Sequence, residues 1–448
     1  MDDLSPLRAI RALSAPLVAF FLIQNLVGLA ALALVGRIGD AALAGVGLGN
    51  VLYTLLLALL YGIDTGAQAS ISRAAGAGAS ALAGRMLTNA LALGAPLGAV
   101  LALIAAFLGP GLVAAMIHDP VAAAAGAAFL RCAAPALLLQ GITIPFNAYW
   151  IASGRPGVAF RVTAFIAPCQ ILLSVLLIAG GPMRGAAGAG LALTFAGLIG
   201  LAAQTLLAAR WRPIPGLLGE APDRARLAAI ARIGWPISVQ QSLSQVGLMV
   251  AYAIVARIGT AEVAVVNVLS NLMLLPIQIA VGMGVAAATL VGQALGRLDP
   301  AEARRWGWRT GALGGLVVLP LGLGVLVATG PTLRLFIADP TTVELALWPA
   351  RLLAATVSLD AIGRILSFAL RGAGATRAAS LTPFVCQFLI QLPAMWWVGL
   401  VLGYGLRGLV VVQVGLSVLT WLVFTGIWRG GGWDRVRIAE AEGSALAG

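Results

Sequence analysis

An all-α polytopic membrane protein is the fold class this sequence predicts, and three observations carry the prediction. Of its 448 residues, 60% are hydrophobic and 10% charged, with a mean hydropathy of +1.00. A water-soluble domain cannot cover that much apolar surface. The apolar residues fall in many runs of about 20, the length that crosses the hydrocarbon as a helix. Those runs are rich in Gly and Ala and lack the period-two alternation of a barrel strand.

In chain order, Ser5-Pro6 opens a short basic amphipathic segment, LRAIRALSAP, that is expected to end at Pro16. Asp2, Asp3 and a long first apolar run do not fit a cleavable signal, so that run is expected to stay as the first span. Twelve spans are predicted, at about 15–35, 45–71, 87–108, 122–151, 158–179, 187–210, 235–256, 263–292, 310–330, 346–370, 381–402 and 408–428. Trp150, Trp211, Trp235, Trp306, Trp308, Trp348 and Trp428 fall near their ends, as interfacial anchors do.

All 28 basic residues are Arg, and the net charge is +12. Such a charge invites a nucleic-acid reading, but the arginines sit in alternate short loops. Twenty lie in the N-terminal segment, the even-numbered loops and the tail, against five on the other side: Arg37, Arg184, Arg257, Arg334 and Arg407. By the positive-inside rule both termini are expected in the cytoplasm, and the protein in the cell inner (plasma) membrane. The expected partners are the lipid bilayer and a small organic molecule, with no nucleic acid, and the chain is expected to be a monomer. Cys132, Cys169 and Cys386 fall in apolar runs without metal-ligand spacing and are expected to be inert, with no cofactor.

The longest cytoplasmic loop, 211–234, reads as a linker. It separates an amino-terminal six-helix lobe (1–210) from a carboxy-terminal six-helix lobe (235–428), which a cytoplasmic tail (429–448) follows. An offset of 220 residues aligns Arg37-Ile38-Gly39 with Arg257-Ile258-Gly259, Pro16 with Pro236, Gly62 with Gly282 and Arg85 with Arg305. Six helices per half is an even number, so the repeat is parallel. That predicts two pseudo-symmetric six-helix bundles with a central cleft.

Two acids fall inside predicted spans. Asp360 lies eleven residues before Arg371, or roughly 16 Å along a helix, which places it near the bilayer midplane. A carboxylate at that depth must be paired, protonated or hydrated, which makes it a functional candidate. The alternative is simple neutralisation by Arg364, four residues on. Asp64 lies nine residues before Arg73 and is either a second functional acid or a group satisfied by Thr65 or Gln68 in a hydrated helix end. Gln24, Asn25, Gln140, Asn147, Gln170, Ser174, Gln240, Gln241, Ser244, Gln245, Asn267, Asn271, Gln278, Gln387 and Gln391 are candidates to line the cleft, against the alternative of hydrogen bonding between helices. Gln140 is the repeat partner of Asp360. Arg364 joins the cleft candidates.

The stretches VGRIGDAALAGVGLGN (35–50), ARIGTAEVAVVNVLSN (256–271) and DAIGRILSFALRGAGATR (360–377), in that order and spacing, resemble the multidrug and toxic compound extrusion (MATE) family of secondary transporters. The resemblance implies efflux driven by inward proton or sodium movement. It places the tenth-helix coupling acid on Asp360. Other family positions depart: the first-helix acid falls on Ala31, the seventh-helix Glu on Ser244, and the fifth-helix Asn and Asp on Gln170 and Ser174. The resulting expectation is an H+- or Na+-coupled antiporter that exports drugs or other small organic, cationic compounds by alternating access. Asp360 and Asp64 would be its ion-coupling acids, with Na+ at Asp360 if sodium is the coupling ion. The alternative is a flippase for a lipid-linked precursor from the same wider superfamily. No enzyme motif is present.

Overall fold

The computed structural model describes residues 6–180, 185–211, 214–337 and 339–435; Arg184, Arg212 and Arg437 lie outside the described residues. Twelve helices are long and apolar enough to cross a membrane. They are α1 (Pro6–Gly36), α2 (Asp40–Gly76), α3 (Ser80–Met116), α4 (Pro120–Ala152), α5 (Pro156–Ile178), α6 (Ala186–Ala209), α7 (Arg224–Ala256), α8 (Thr260–Gly296), α9 (Pro300–Val327), α10 (Pro340–Gly372), α11 (Thr376–Val401) and α12 (Gly405–Gly430). No strand occurs among the described residues.

Each predicted span falls on one of these helices, but several helices run well beyond the predicted ends. The segment expected to stop at Pro16 does not stop: α1 passes through it unbroken. Ala9, Ile10, Leu13 and Leu17 bury one continuous face there, and that packing outweighs the single hydrogen bond the proline removes. Likewise α7 starts at Arg224, within the stretch read as linker. In contrast, α9 stops at Val327, three residues short of its predicted end, and a six-residue helix, Thr329–Arg334, follows.

The 220-residue repeat reappears in the elements. Helices α2 and α8 are both 37 residues long, and α4 and α10 are both 33, with each pair starting 220 residues apart. An Asp-Pro pair starts both α4 and α10. Asp119 accepts from Val121 N, and Asp339 accepts from Thr341 N and Thr342 N, while the proline fits a first-turn position that needs no N–H donor. The Thr341 and Thr342 hydroxyls, with the Thr342 N–H, hold the Asp339 carboxyl at about 2.

One equivalent pair differs. After α2 the chain turns at Gly78 (φ 75°), and after α8 the same turn puts Leu298 at φ 60°. A side chain in the left-handed region costs about 1–3 kcal/mol. Leu298 is 71% exposed, so its packing offsets little of that. Leu298→Gly is therefore expected to stabilise the protein by about 1 kcal/mol, after the extra entropy glycine loses on folding, as a higher melting temperature in detergent. A lower melting temperature would count against strain at this turn.

The chain forms two compact units. One is Ala19–Ser242; the other joins the residues up to Val18 to Leu243 and beyond. The unit borders therefore run through α1 and α7, where the lobe borders read from sequence fell between helices. In the first unit α4 packs against α2, α3 and α6. Residues 214–223 are tied to α3 there: Leu218 N donates to Thr88 Oγ1 (3.0 Å), Asp223 N to Asn89 Oδ1 (2.8 Å), and Glu220 pairs with Arg85 and Arg226. Buried Gln204 on α6 accepts from Trp150 Nε1 (2.8 Å) and donates to Asn147 Oδ1 (2.7 Å), joining α6 to α4. In the second unit α10, the repeat partner of α4, packs against α8, α9 and α12.

Candidate functional site

Helix α10 carries the site. Asp360 lies twenty residues after Pro340 and twelve before Gly372, so it sits in the middle third of its span. Arg364, one turn on, donates from Nε to Asp360 Oδ2 at 2.6 Å. The pairing suggested by the four-residue spacing is therefore real. It is not sealed: the two side chains are 26% and 42% exposed, and both open into a cavity of about 390 Å³ inside the second unit.

That cavity has an apolar body and a few polar groups. Leu248, Val255, Met273, Val357 and Met395 supply apolar wall from four helices. Helices α7 and α8 face each other across Tyr252 and Ser270, whose hydroxyls lie 3.4 Å apart. Helices α11 and α12 meet through Gln391 Nε2, which donates to Gln413 Oε1 at 2.5 Å. Gln391 closes a π-helical stretch, Val385–Gln391, two residues before Pro393. The proline cannot donate a main-chain hydrogen bond, and the wider turn redirects the side chains next to it. The glutamine pair uses one donor and one acceptor, which leaves a carbonyl oxygen and amide hydrogens for other partners. An ion pair, two amides and a hydroxyl pair in an apolar chamber are suited to holding a small organic molecule.

Of the other residues expected from sequence, Gln391 alone lines this chamber. Gln387 donates to Ser244 O at 3.3 Å and packs over Gly247, so it ties α11 to α7 and is not part of the cavity lining. Ser244, Gln245, Gln240 and Gln241 are also outside that lining, and the unit boundary separates the first two from the last two. In the first unit, Asn25 donates to Phe21 O at 2.9 Å within its own helix, while Gln24 is exposed. Gln140 accepts from Thr143 Oγ1 at 3.1 Å, Gln170 is half-buried and Ser174 is buried. Asp64 is half-buried beside Tyr61, and the hydroxyl of Thr65, one of the two partners weighed for it, donates to Tyr61 O at 3.0 Å. The structure adds Tyr252, Ser270, Gln413 and Ser417 to the site.

With the geometry in place, comparison with known proteins gives a consistent result. The MatE family model matches residues 16–176 and again 236–397, once in each half of the chain. A probable multidrug resistance protein NorM of Bradyrhizobium diazoefficiens is 27% identical over 88% of this chain and 86% of its own length. One from Deinococcus radiodurans is 28% identical over 90% of each. Among solved structures, a MATE protein in complex with MaD3S superposes with a TM-score of 0.88 at 20% identity, over 98% of this chain and 97% of its own. A transporter of the MOP superfamily from Pyrococcus furiosus gives 0.86 at the same identity and coverage. The family model covers well over half of the residues in two passes that follow the repeat, and the fold agrees along nearly the whole length: the chain is a multi-pass membrane transporter that belongs to the MatE family.

Proposed function

We propose that this transporter is a cation-coupled antiporter that exports drugs or other small organic, cationic compounds by alternating access. The observation that carries the reading is the Asp360–Arg364 pair, held at mid-span yet open to an apolar chamber. A carboxylate already neutralised by a neighbouring guanidinium is a switch. A proton, a sodium ion or a cationic substrate at Asp360 draws on the same negative charge that Arg364 neutralises, so occupancy by one disfavours occupancy by another. That competition is the linkage an antiporter requires. The chamber volume and its largely apolar wall suit a compact organic cation, and the names of the NorM relatives favour drug efflux over lipid flipping. The arginine distribution supports cytoplasmic termini, and the bacterial NorM relatives support an inner-membrane location.

The test is transport of a fluorescent organic cation by the reconstituted full chain, with proton and sodium gradients imposed separately. One of the two gradients should drive uphill movement. If neither does, while the protein remains monodisperse, the coupled-antiport reading is wrong.

A further inference from the structure

An arginine-lined groove of the second unit shares no lining residue with the chamber and runs along the first three turns of α9. It encloses about 620 Å³ between Arg304, Arg305, Trp308 and Arg309. The three arginines are exposed and Trp308 is half-buried. Arg305 and Arg309 are one helical turn apart, where like charges repel. Nearby carboxylates do not resolve this. Glu302 is engaged by Arg297 (2.9 Å) and Trp306 Nε1 (2.9 Å). Asp299 caps α9 by accepting from Glu302 N at 2.7 Å and reaches Arg305 only at 3.8 Å. No ion pair holds Arg309 among the described residues.

All the lining residues belong to α9, and the end of α12 packs against that helix. Arg429 of α12 lies over the Trp308 ring at 5.5 Å. Next to it, Trp428 occupies the space that a side chain at Gly307 would fill, donates to Arg304 O at 3.4 Å, and stacks on Trp433 at 4.0 Å. The end of α12 is thereby fixed against α9. A set of exposed guanidiniums beside tryptophans, at the end of a membrane span, is the arrangement that recognises a phosphate at the hydrocarbon boundary.

We propose that this groove is a binding site for the phosphate of an anionic phospholipid headgroup, with Arg305 and Arg309 as the principal ligands. The lipid would sit between them, replace repulsion with two charge-assisted contacts, and rest its glycerol end on Trp308. A free phosphate ion would satisfy the arginines but make no use of the ring or of the adjoining apolar span, so the lipid is the better fit. This inference does not depend on what the chamber transports.

Native mass spectrometry of the purified full chain, with phosphatidylglycerol or phosphatidylcholine added at equal concentration, tests it. The unaltered protein should retain phosphatidylglycerol in preference. Arg305→Gln with Arg309→Gln should reduce that retention by about tenfold or more and leave phosphatidylcholine unchanged. Arg334→Gln, elsewhere in the same unit, should have no effect. If the double variant is not monodisperse, Arg309→Gln alone should still show a loss of about threefold or more. Undiminished phosphatidylglycerol retention in these variants would overturn the proposal. So would displacement of the lipid by inorganic phosphate at matching concentration, which would identify a general anion site.

Discussion

Gly141→Leu should leave almost no folded protein in the membrane. On α3, Gly94 and Gly98 lie one turn apart and present bare backbone to α4. A Cβ built on Gly94 would run into the carbonyl oxygen of Gly141, and one built on Gly141 would run into that of Gly94. A Cβ on Gly98 would stand 2.7 Å from Leu137 O. Two main chains therefore meet with no side chain between them. Pro145 Cγ also borders the contact, 3.4 Å from the position a Gly94 Cβ would take. Between helices in lipid there is little hydrophobic drive, so close packing of this kind supplies much of the association. Forcing a leucine into it should cost about 3 kcal/mol or more, a large share of the roughly 5–15 kcal/mol that holds a folded protein together. Gly94→Leu should behave the same way, and the two together should be little worse than either, since both disrupt one contact. Gly28→Leu is the control: nothing surrounds that position within 4 Å, and leucine favours a helix by about 1 kcal/mol over glycine. Size-exclusion chromatography of fluorescent-protein fusions reads all four. A wild-type-like peak for Gly141→Leu would show that α3 and α4 can separate without loss of the fold.

The spacing of those glycines was visible in the sequence, but it carried little weight there. In a chain with 56 glycines, pairs four residues apart are common by chance, and only the partner helix shows which of them matter. The same limit explains what was and was not legible elsewhere. Spans could be read from hydropathy because each is a property of one continuous stretch, and the repeat could be read because RIG and two prolines share one offset. Asp360 and Arg364 were legible as a pair because four residues on one helix settle their contact. Tyr252, Ser270, Gln413 and Ser417 come from three helices whose rotation about their own axes no local pattern encodes, so their convergence had to be observed. Gln387 shows the converse. Its polarity in an apolar run was conspicuous, yet the amide serves to hold Ser244 O and does not line the chamber. The linker also looked different in sequence. Pro, Gly and charge suggest a loose connection, whereas the groups that fasten it, Thr88 and Asn89, belong to a helix more than 100 residues earlier.

Asp360→Asn should produce folded protein that no longer drives efflux against a gradient. Asparagine keeps the size and accepts a hydrogen bond from Arg364, so the helix should be undisturbed. What disappears is the negative charge for which guanidinium, coupling ion and cationic substrate compete. Coupling free energies of this kind run at about 1–3 kcal/mol, so the concentration ratio the protein can sustain should fall by roughly 5–150-fold. Asp360→Glu, with the charge moved by one methylene, should keep part of the activity. Arg364→Ala then separates a switch from a strut. If the pair were sealed in the core, removing the guanidinium would strand a charge at about 3–5 kcal/mol and the yield of folded protein would collapse. With 26% of Asp360 and 42% of Arg364 exposed, water in the chamber can solvate the remaining carboxylate, and the expected loss is about 1 kcal/mol or less. Arg364→Ala should therefore fold, bind an organic cation more tightly than wild type, and release it poorly when the gradient is applied. Asp64→Asn, on the other unit, should change substrate range or apparent affinity while coupled transport remains measurable. If Asp360→Asn instead folds and exports at the wild-type rate against a gradient while Asp64→Asn does not, the two acids have been ranked in the wrong order, and the pair on α10 is a structural tie.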